Sequence, residues 1–140
     1  MKAKKKKQSL PAKQKSPAVR YRVKMPPISE EMKHWSAMLG EEMKSWPQVT
    51  SRPMFGMLGF YRRKKIFGAL PVTRGFGTAN SFMLRFDPMP PDLKQHALNE
   101  PRIPKESLSP NSRWSLFEVG STEDLRDALW WLNQAYECAG

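Results

Sequence analysis

Cations are the residues of this chain best suited to chemistry. Arg62, Arg63, Lys64 and Lys65 form one unbroken run, and Lys4, Lys5, Lys6, Lys7, Lys13, Lys15, Arg20, Arg22 and Lys24 crowd the first 27 positions. Guanidinium and ammonium groups gathered in this way contact phosphate oxygens through charge and read no base sequence. The tail is therefore a candidate non-specific nucleic-acid anchor, and the four-residue run a second, wing-like contact. Plainer readings stand beside these: a Lys-rich tail keeps a protein soluble, and a charged hairpin tip discourages edge pairing. Tyr21, between Arg20 and Arg22, supplies one base-stacking group, fewer than a single-strand platform needs.

The other reactive residue types do not assemble. His34 and His96 are the two histidines and Cys138 the single cysteine, and no second His or Cys is spaced to join any of them in a metal site. Cys138 falls in a predicted last helical turn, where the negative end of the helix dipole disfavours a thiolate. Gly56-x-x-Gly59 lacks the Gly-Lys-Ser/Thr ending and the following helix of a phosphate loop, so both glycines read as strand residues that permit close packing. No nucleophile-elbow pattern frames Ser, His and Asp. The chain is expected to be non-enzymatic, with no cofactor and no metal.

Hydrophobic periodicity lays out the elements that position these residues. Ser29 precedes Glu30 and Glu31 as an N-cap, and Met32, Trp35, Met38, Leu39, Met43 and Trp46 recur every three or four residues, predicting a helix over 30–46 that Pro47 stops. Gly40 in its middle suggests a close crossing with a sheet. Gln48 to Met54 predicts a first strand, with Pro53 suited to an edge. Met54, Phe55, Met57, Leu58, Phe60 and Tyr61 form strand material, as do Ile66, Phe67, Ala69 and Leu70, so Arg62–Lys65 becomes the tip of a β-hairpin. Pro71 to Ala79 reads as a loop. Phe82, Leu84 and Phe86 alternate with Met83 and Arg85, predicting a strand with one buried face.

Asp92 to Asn99 predicts a short helix with Leu93, Ala97 and Leu98 inward, Pro101 to Asn111 a surface loop, and Trp114 to Val119 another strand. Ser121-Thr-Glu-Asp is a capping box opening a last helix whose inner stripe is Leu125, Ala128, Leu129, Leu132, Tyr136 and Ala139. Trp131 flanks that stripe and Trp130 falls on the far side; exposed together, they would mark a surface for a protein partner or self-association. The order, roughly α-β-β-β-(β)-α-β-α, is met by an α+β domain, an antiparallel β-sheet with helices packed mainly on one face.

Charge divides the chain. Residues 1–27 hold ten of its 24 Lys and Arg and none of its 13 acids, so of the formal charge of +11 the other 113 residues carry +1. Lys, Pro, Ala, Gln and Ser in that stretch cannot bury enough apolar surface to offset chain entropy, which predicts a disordered basic tail over 1–27 and a single domain over 28–140. Val19, Tyr21 and Val23 alternate with cations and offer a short edge strand as an alternative. Removal of the tail is expected to leave the fold intact. One cysteine suits a reducing compartment, and neither a signal peptide nor an apolar run of about 18 residues is present, so a cytoplasmic protein without membrane contact is expected.

The segment RPMFG at 52–56 followed by GFY at 59–61, IFGALP at 66–71, Trp114 before a strand, and STEDLRDALWWLNQAYECA at 121–139 together resemble the N-terminal domain of TfoX, a bacterial competence regulator, and its YjbR-like relatives. The resemblance covers 30–139. It implies a compact sheet with helices on one side and a regulatory role linked to transcription. The chain departs from the family pattern at the hairpin tip, where four cations replace a Gly with an acidic or Asn neighbour, and at an expanded loop from Thr73 to Ala79, and it is expected to lack the second domain of full-length TfoX proteins.

A regulatory or accessory domain acting through protein contacts is the expectation, with the basic tail adding weak attraction to nucleic acid. The alternative is a small-ligand or partner-binding module with no nucleic-acid role, its pocket framed by the sheet face and the loop from Gly75 to Ala79.

Overall fold

In a computed structural model that describes residues 24–140, helix α1 (Glu30–Lys44) begins where Ser29 turns extended and its hydroxyl accepts the Met32 N–H at 3.0 Å. It ends two residues earlier than its apolar spacing predicts. Ser45 donates its N–H back to Glu42 and Met43, and Trp46, freed from the helix, stacks on Phe67 at 6.2 Å and packs at a tilt on Tyr136 at 5.2 Å. Met38 stays exposed, whereas Met32, Trp35, Leu39 and Met43 are buried. Gly40 does face the sheet: a Cβ there would lie 3.4 Å from the Phe60 ring and 3.7 Å from Leu70.

Strands β1 (Val49–Met54), β2 (Met57–Arg62), β3 (Lys65–Pro71), β4 (Ser81–Arg85) and β5 (Trp114–Glu118) form one antiparallel sheet in chain order. Helices α2 (Pro91–Leu98) and α3 (Leu125–Cys138) complete an α+β fold, and β1, with Pro53, lies at one edge. Two departures concern the first three strands. Phe55 is not strand material: it and Gly56 take φ of +50° and +78°, making the turn between β1 and β2, and Phe55 is 82% exposed. Gly56 then offers its carbonyl to the N–H groups of Val72, Thr73 and Arg74, which fixes that turn against the next loop. In addition, the β2–β3 register slips by one residue between Phe60–Gly68 and Tyr61–Ile66. The extra residue, Phe67, packs with Tyr136 on the helix side of the sheet.

The principal core lies between that side and the helices, with Phe60, Phe67, Phe82, Phe117, Leu132 and Trp131 fully buried. The expectation of one buried face for β4 is corrected, since Met83 on the opposite face is buried with Met57 and Ala69. Met25 and Phe76 fold over that cluster from loops distant in sequence, which strand periodicity cannot register. Leu98 also departs from expectation: α2 stops at that residue, and its side chain is exposed. The segment from Pro101 to Asn111 is more than surface loop, because Ile103 and Leu108 are buried and Lys105–Leu108 form a short 3-10 turn. It covers the edge of β5: the Glu118 N–H donates to the Arg102 carbonyl at 2.8 Å and the Leu116 N–H to the Ser107 hydroxyl at 3.2 Å.

The end of the predicted tail is part of the body. The Gly77 N–H donates to the Lys24 carbonyl at 2.8 Å, the Gly75 N–H to the Pro26 carbonyl at 2.9 Å, and Pro27 bridges Arg74. The rest of the tail, including Lys4–Lys7, Lys13, Lys15, Arg20, Arg22 and the edge strand considered around Tyr21, lies outside the described residues. Among the described residues no helix is long and apolar enough to cross a membrane.

Candidate functional site

Strand alternation divides the cationic run. Leu58, Phe60 and Arg62 face the helices, so Arg62 leaves the hairpin tip and lies across the end of α3. Its guanidinium stands 4.3 Å from the centre of the Tyr136 ring, its Nη1 donates to the Tyr136 carbonyl at 3.1 Å, and Glu137 is 3.8 Å away. Arg63 and Lys64 make the two-residue turn, with Arg63 at φ +58° and its N–H donated to the Gln48 carbonyl at 3.0 Å. Arg63, Lys64 and Lys65 are all exposed, and among the described residues none of the three has an acid within ion-pair reach. A recess of about 620 Å³ beside them is lined by Gln48, Arg62 and the residues Ala139 and Gly140.

Of the tail cations only Lys24 lies among the described residues, and it stands apart from the hairpin tip. Lys24 bonds Gly77 beyond the Pro71 end of β3, whereas Arg63 and Lys64 lie at its Lys65 end. Seven residues of strand separate the two, on the order of 20 Å.

The two tryptophans differ. Trp130 is 42% exposed, with the His96 ring tilted against it at a centroid distance of 5.0 Å. Trp131, expected beside it at a surface, is 1% exposed. The correction follows from the wide arc over which α3 is buried, with the sheet on one side and α2 on the other, where His96 lies 5.3 Å from the Trp131 ring. A groove of about 700 Å³ runs past Trp46, His96, Leu129 and Trp130.

His96 shares this groove with Glu100, but Arg102 holds both Glu100 oxygens, at 2.7 and 2.9 Å. Arg102 also reaches Asp124 at 3.0 Å and Asp127 at 2.8 Å, and its guanidinium lies 5.0 Å from the Phe117 ring centre. That hydrogen bonding outweighs burial and holds the Glu100 carboxyl below its ordinary range. Burial would raise Asp124, yet hydrogen bonds from the Gly120 N–H, Arg102 and the Ser121 N–H hold it low as well. This is the predicted capping box extended by an arginine, a fastening for the start of α3.

His34 is exposed on α1, and among the described residues no three His, Cys, Asp or Glu side chains gather as a metal site. Partial burial and Glu137 push the Cys138 thiol above its ordinary value. A Cβ on Gly59 would lie 2.9 Å from the Met54 sulfur and 3.1 Å from Ile66, so this glycine serves packing. The loop proposed to frame a pocket, Gly75 to Ala79, is taken up by Phe76 on the Met83 cluster and by its bonds to Lys24 and Pro26. A separate apolar slot of about 370 Å³ opens between α1 and the sheet, along Ala37, Gly40, Leu58, Leu70 and Val72.

Sequence reasoning missed a pair of stacked cations on the second sheet face. The Arg52 guanidinium lies 4.8 Å from the Tyr61 ring centre and that of Arg85 lies 5.3 Å from the Trp114 ring centre. Alternation could place Arg85 beside Met83, but its pairing with Trp114 depends on the β4–β5 register.

No protein-family model, curated protein or solved structure matches the chain.

Proposed function

We propose that the chain is a non-enzymatic accessory or regulatory domain of TfoX N-terminal type, cytoplasmic, that acts through protein contacts and is drawn weakly to nucleic acid by its cations. The observation that carries the reading is the exposed tip at Arg63, Lys64 and Lys65, with no acid of the described residues within ion-pair reach. Such a tip is free to neutralise phosphates, and the cations Lys4–Lys7, Lys13, Lys15, Arg20, Arg22 and Lys24 add to the same attraction. Trp130, exposed at the rim of its groove, supports a protein-contact surface on the opposite half of α3.

The test is binding of a labelled random-sequence duplex across a salt series. The intact chain is expected to give log K falling linearly with log salt. A variant carrying Arg63→Ala, Lys64→Ala and Lys65→Ala should bind more weakly, with a slope shallower by about 0.9 for each phosphate that is no longer neutralised. Absence of duplex binding near physiological salt overturns the nucleic-acid part of the reading. A second reading, a small-ligand module without nucleic-acid contact, is favoured by the apolar slot beside Gly40.

A further inference from the structure

The second face of the sheet is covered unevenly. Met25 and Phe76 pack over Met57, Ala69 and Met83, toward the end where β3 meets its following loop. Toward the hairpin tip the face carries Tyr61, Ile66, Arg85 and Trp114, all half-exposed, with Trp114 also packed against the Met83 cluster. Tyr61 pairs with Ile66, Gly68 lies opposite Leu84, and Arg85 pairs with Trp114, which sets these side chains in a row across four strands at the tip end.

We propose that this row is a stacking platform for single-stranded nucleic acid. The inference rests on the nucleic-acid reading above and deepens it. Tyr61 on β2 and Trp114 on β5 are three strand spacings apart, roughly 14 Å. A sheet face that presents two rings in this way holds two or three unpaired bases. Each ring already has a guanidinium over one face, Arg52 at 4.8 Å and Arg85 at 5.3 Å, so a base stacks on the other face or displaces the arginine toward its phosphate. Arg63 and Lys64 form the turn that follows β2, two and three residues beyond Tyr61. Nearby acid is limited: Asp87 is shared between Arg85 at 4.0 Å and Arg113 at 3.1 Å, and Glu118 lies at the far end of β5. A duplex, whose bases are paired and stacked, cannot use the rings; a single strand can.

The test compares a labelled oligothymidylate with a duplex of equal length, using the full chain. Tighter binding of the single strand is expected. Tyr61→Ala and Trp114→Ala should each weaken that binding roughly 5- to 150-fold and leave duplex binding unchanged, while Tyr61→Phe retains it. Independently of whether the alanine variants fold, oligothymidylate should quench the intrinsic fluorescence of the unmodified chain, and Trp114→Phe should remove that component. A single strand bound no better than duplex, or quenching unaltered in Trp114→Phe, overturns the platform while the tip reading stands. Failure of both probes to bind overturns the two together.

Discussion

Arg62 donates to the main-chain carbonyl of Tyr136 at 3.1 Å while its guanidinium lies 4.3 Å from the centre of that residue's ring. The Tyr136 hydroxyl in turn donates to the Pro47 carbonyl at 2.8 Å, so Arg62, α3 and the start of β1 are held by one chain of contacts. Arg62→Ala is expected to lower unfolding free energy by about 1–3 kcal/mol in urea denaturation, since it removes a charged hydrogen bond and a cation–π contact. Arg62→Lys should restore little, because an ammonium cannot both lie over the ring and reach the carbonyl as a planar guanidinium does. Arg63→Ala, at the exposed tip, should change stability by less than about 0.5 kcal/mol.

The Arg102 network predicts an acid-sensitive stability. Glu100 and Asp124 have lowered folded-state pKa values, so the folded chain binds fewer protons than the unfolded chain as carboxylates begin to titrate. Their contribution is complete above the ordinary carboxylate range and is lost as pH falls through the lower, folded values, below about pH 4. Melting temperature is therefore expected to hold level near neutrality and fall on acidification. Arg102→Met should lower stability at neutral pH, by about 1–2 kcal/mol allowing for partial solvent exposure of the network, and flatten the acid limb.

Gly40 faces Phe60 and Leu70 with space for one methyl group at ordinary contact distance. Gly40→Ala is thus expected to stabilise the chain, by up to about 1 kcal/mol from helix propensity. Gly40→Leu, which must displace the Phe60 ring, should destabilise it. Chemical denaturation of the pair gives opposite signs if the approach of α1 to β2 is as described.

The tryptophan pair separates surface from core. Trp131→Ala is expected to cost about 3–5 kcal/mol as a fully buried truncation, while Trp130→Ala should fall well below that. The same urea titration reads both.

Residues 24–27 bear on truncation. Deletion of 1–27 should give a lower melting temperature than deletion of 1–23, because the first also removes the carbonyls that Gly75 and Gly77 bond and the Met25 side chain packed on the second face. Equal melting temperatures would show that this strap contributes nothing.

Local signals were legible in the sequence where short-range chemistry determines them. The Ser29 cap, the Ser121–Asp124 box, the order of elements and the edge position of Pro53 all follow from neighbours within a few residues. Phe55 misled because an exposed aromatic residue in a left-handed turn runs against both its strand preference and its steric preference. Arg62, Trp131 and Met25 were misplaced for a common reason: the partner that defines each stands far off in sequence or on another element. The row of Tyr61, Arg85 and Trp114 exists only through strand register, which apolar alternation leaves unset.

The segment from Pro101 to Asn111 occupies donors of β5 that a strand from a second molecule would need, with Arg102 and Ser107 already bonded to Glu118 and Leu116. At the other border, Pro53 removes one donor from β1. The sheet is thereby terminated at one border and interrupted at the other, so stacking of copies edge to edge into fibrils has no intact template, and concentrated solutions should resist gelation.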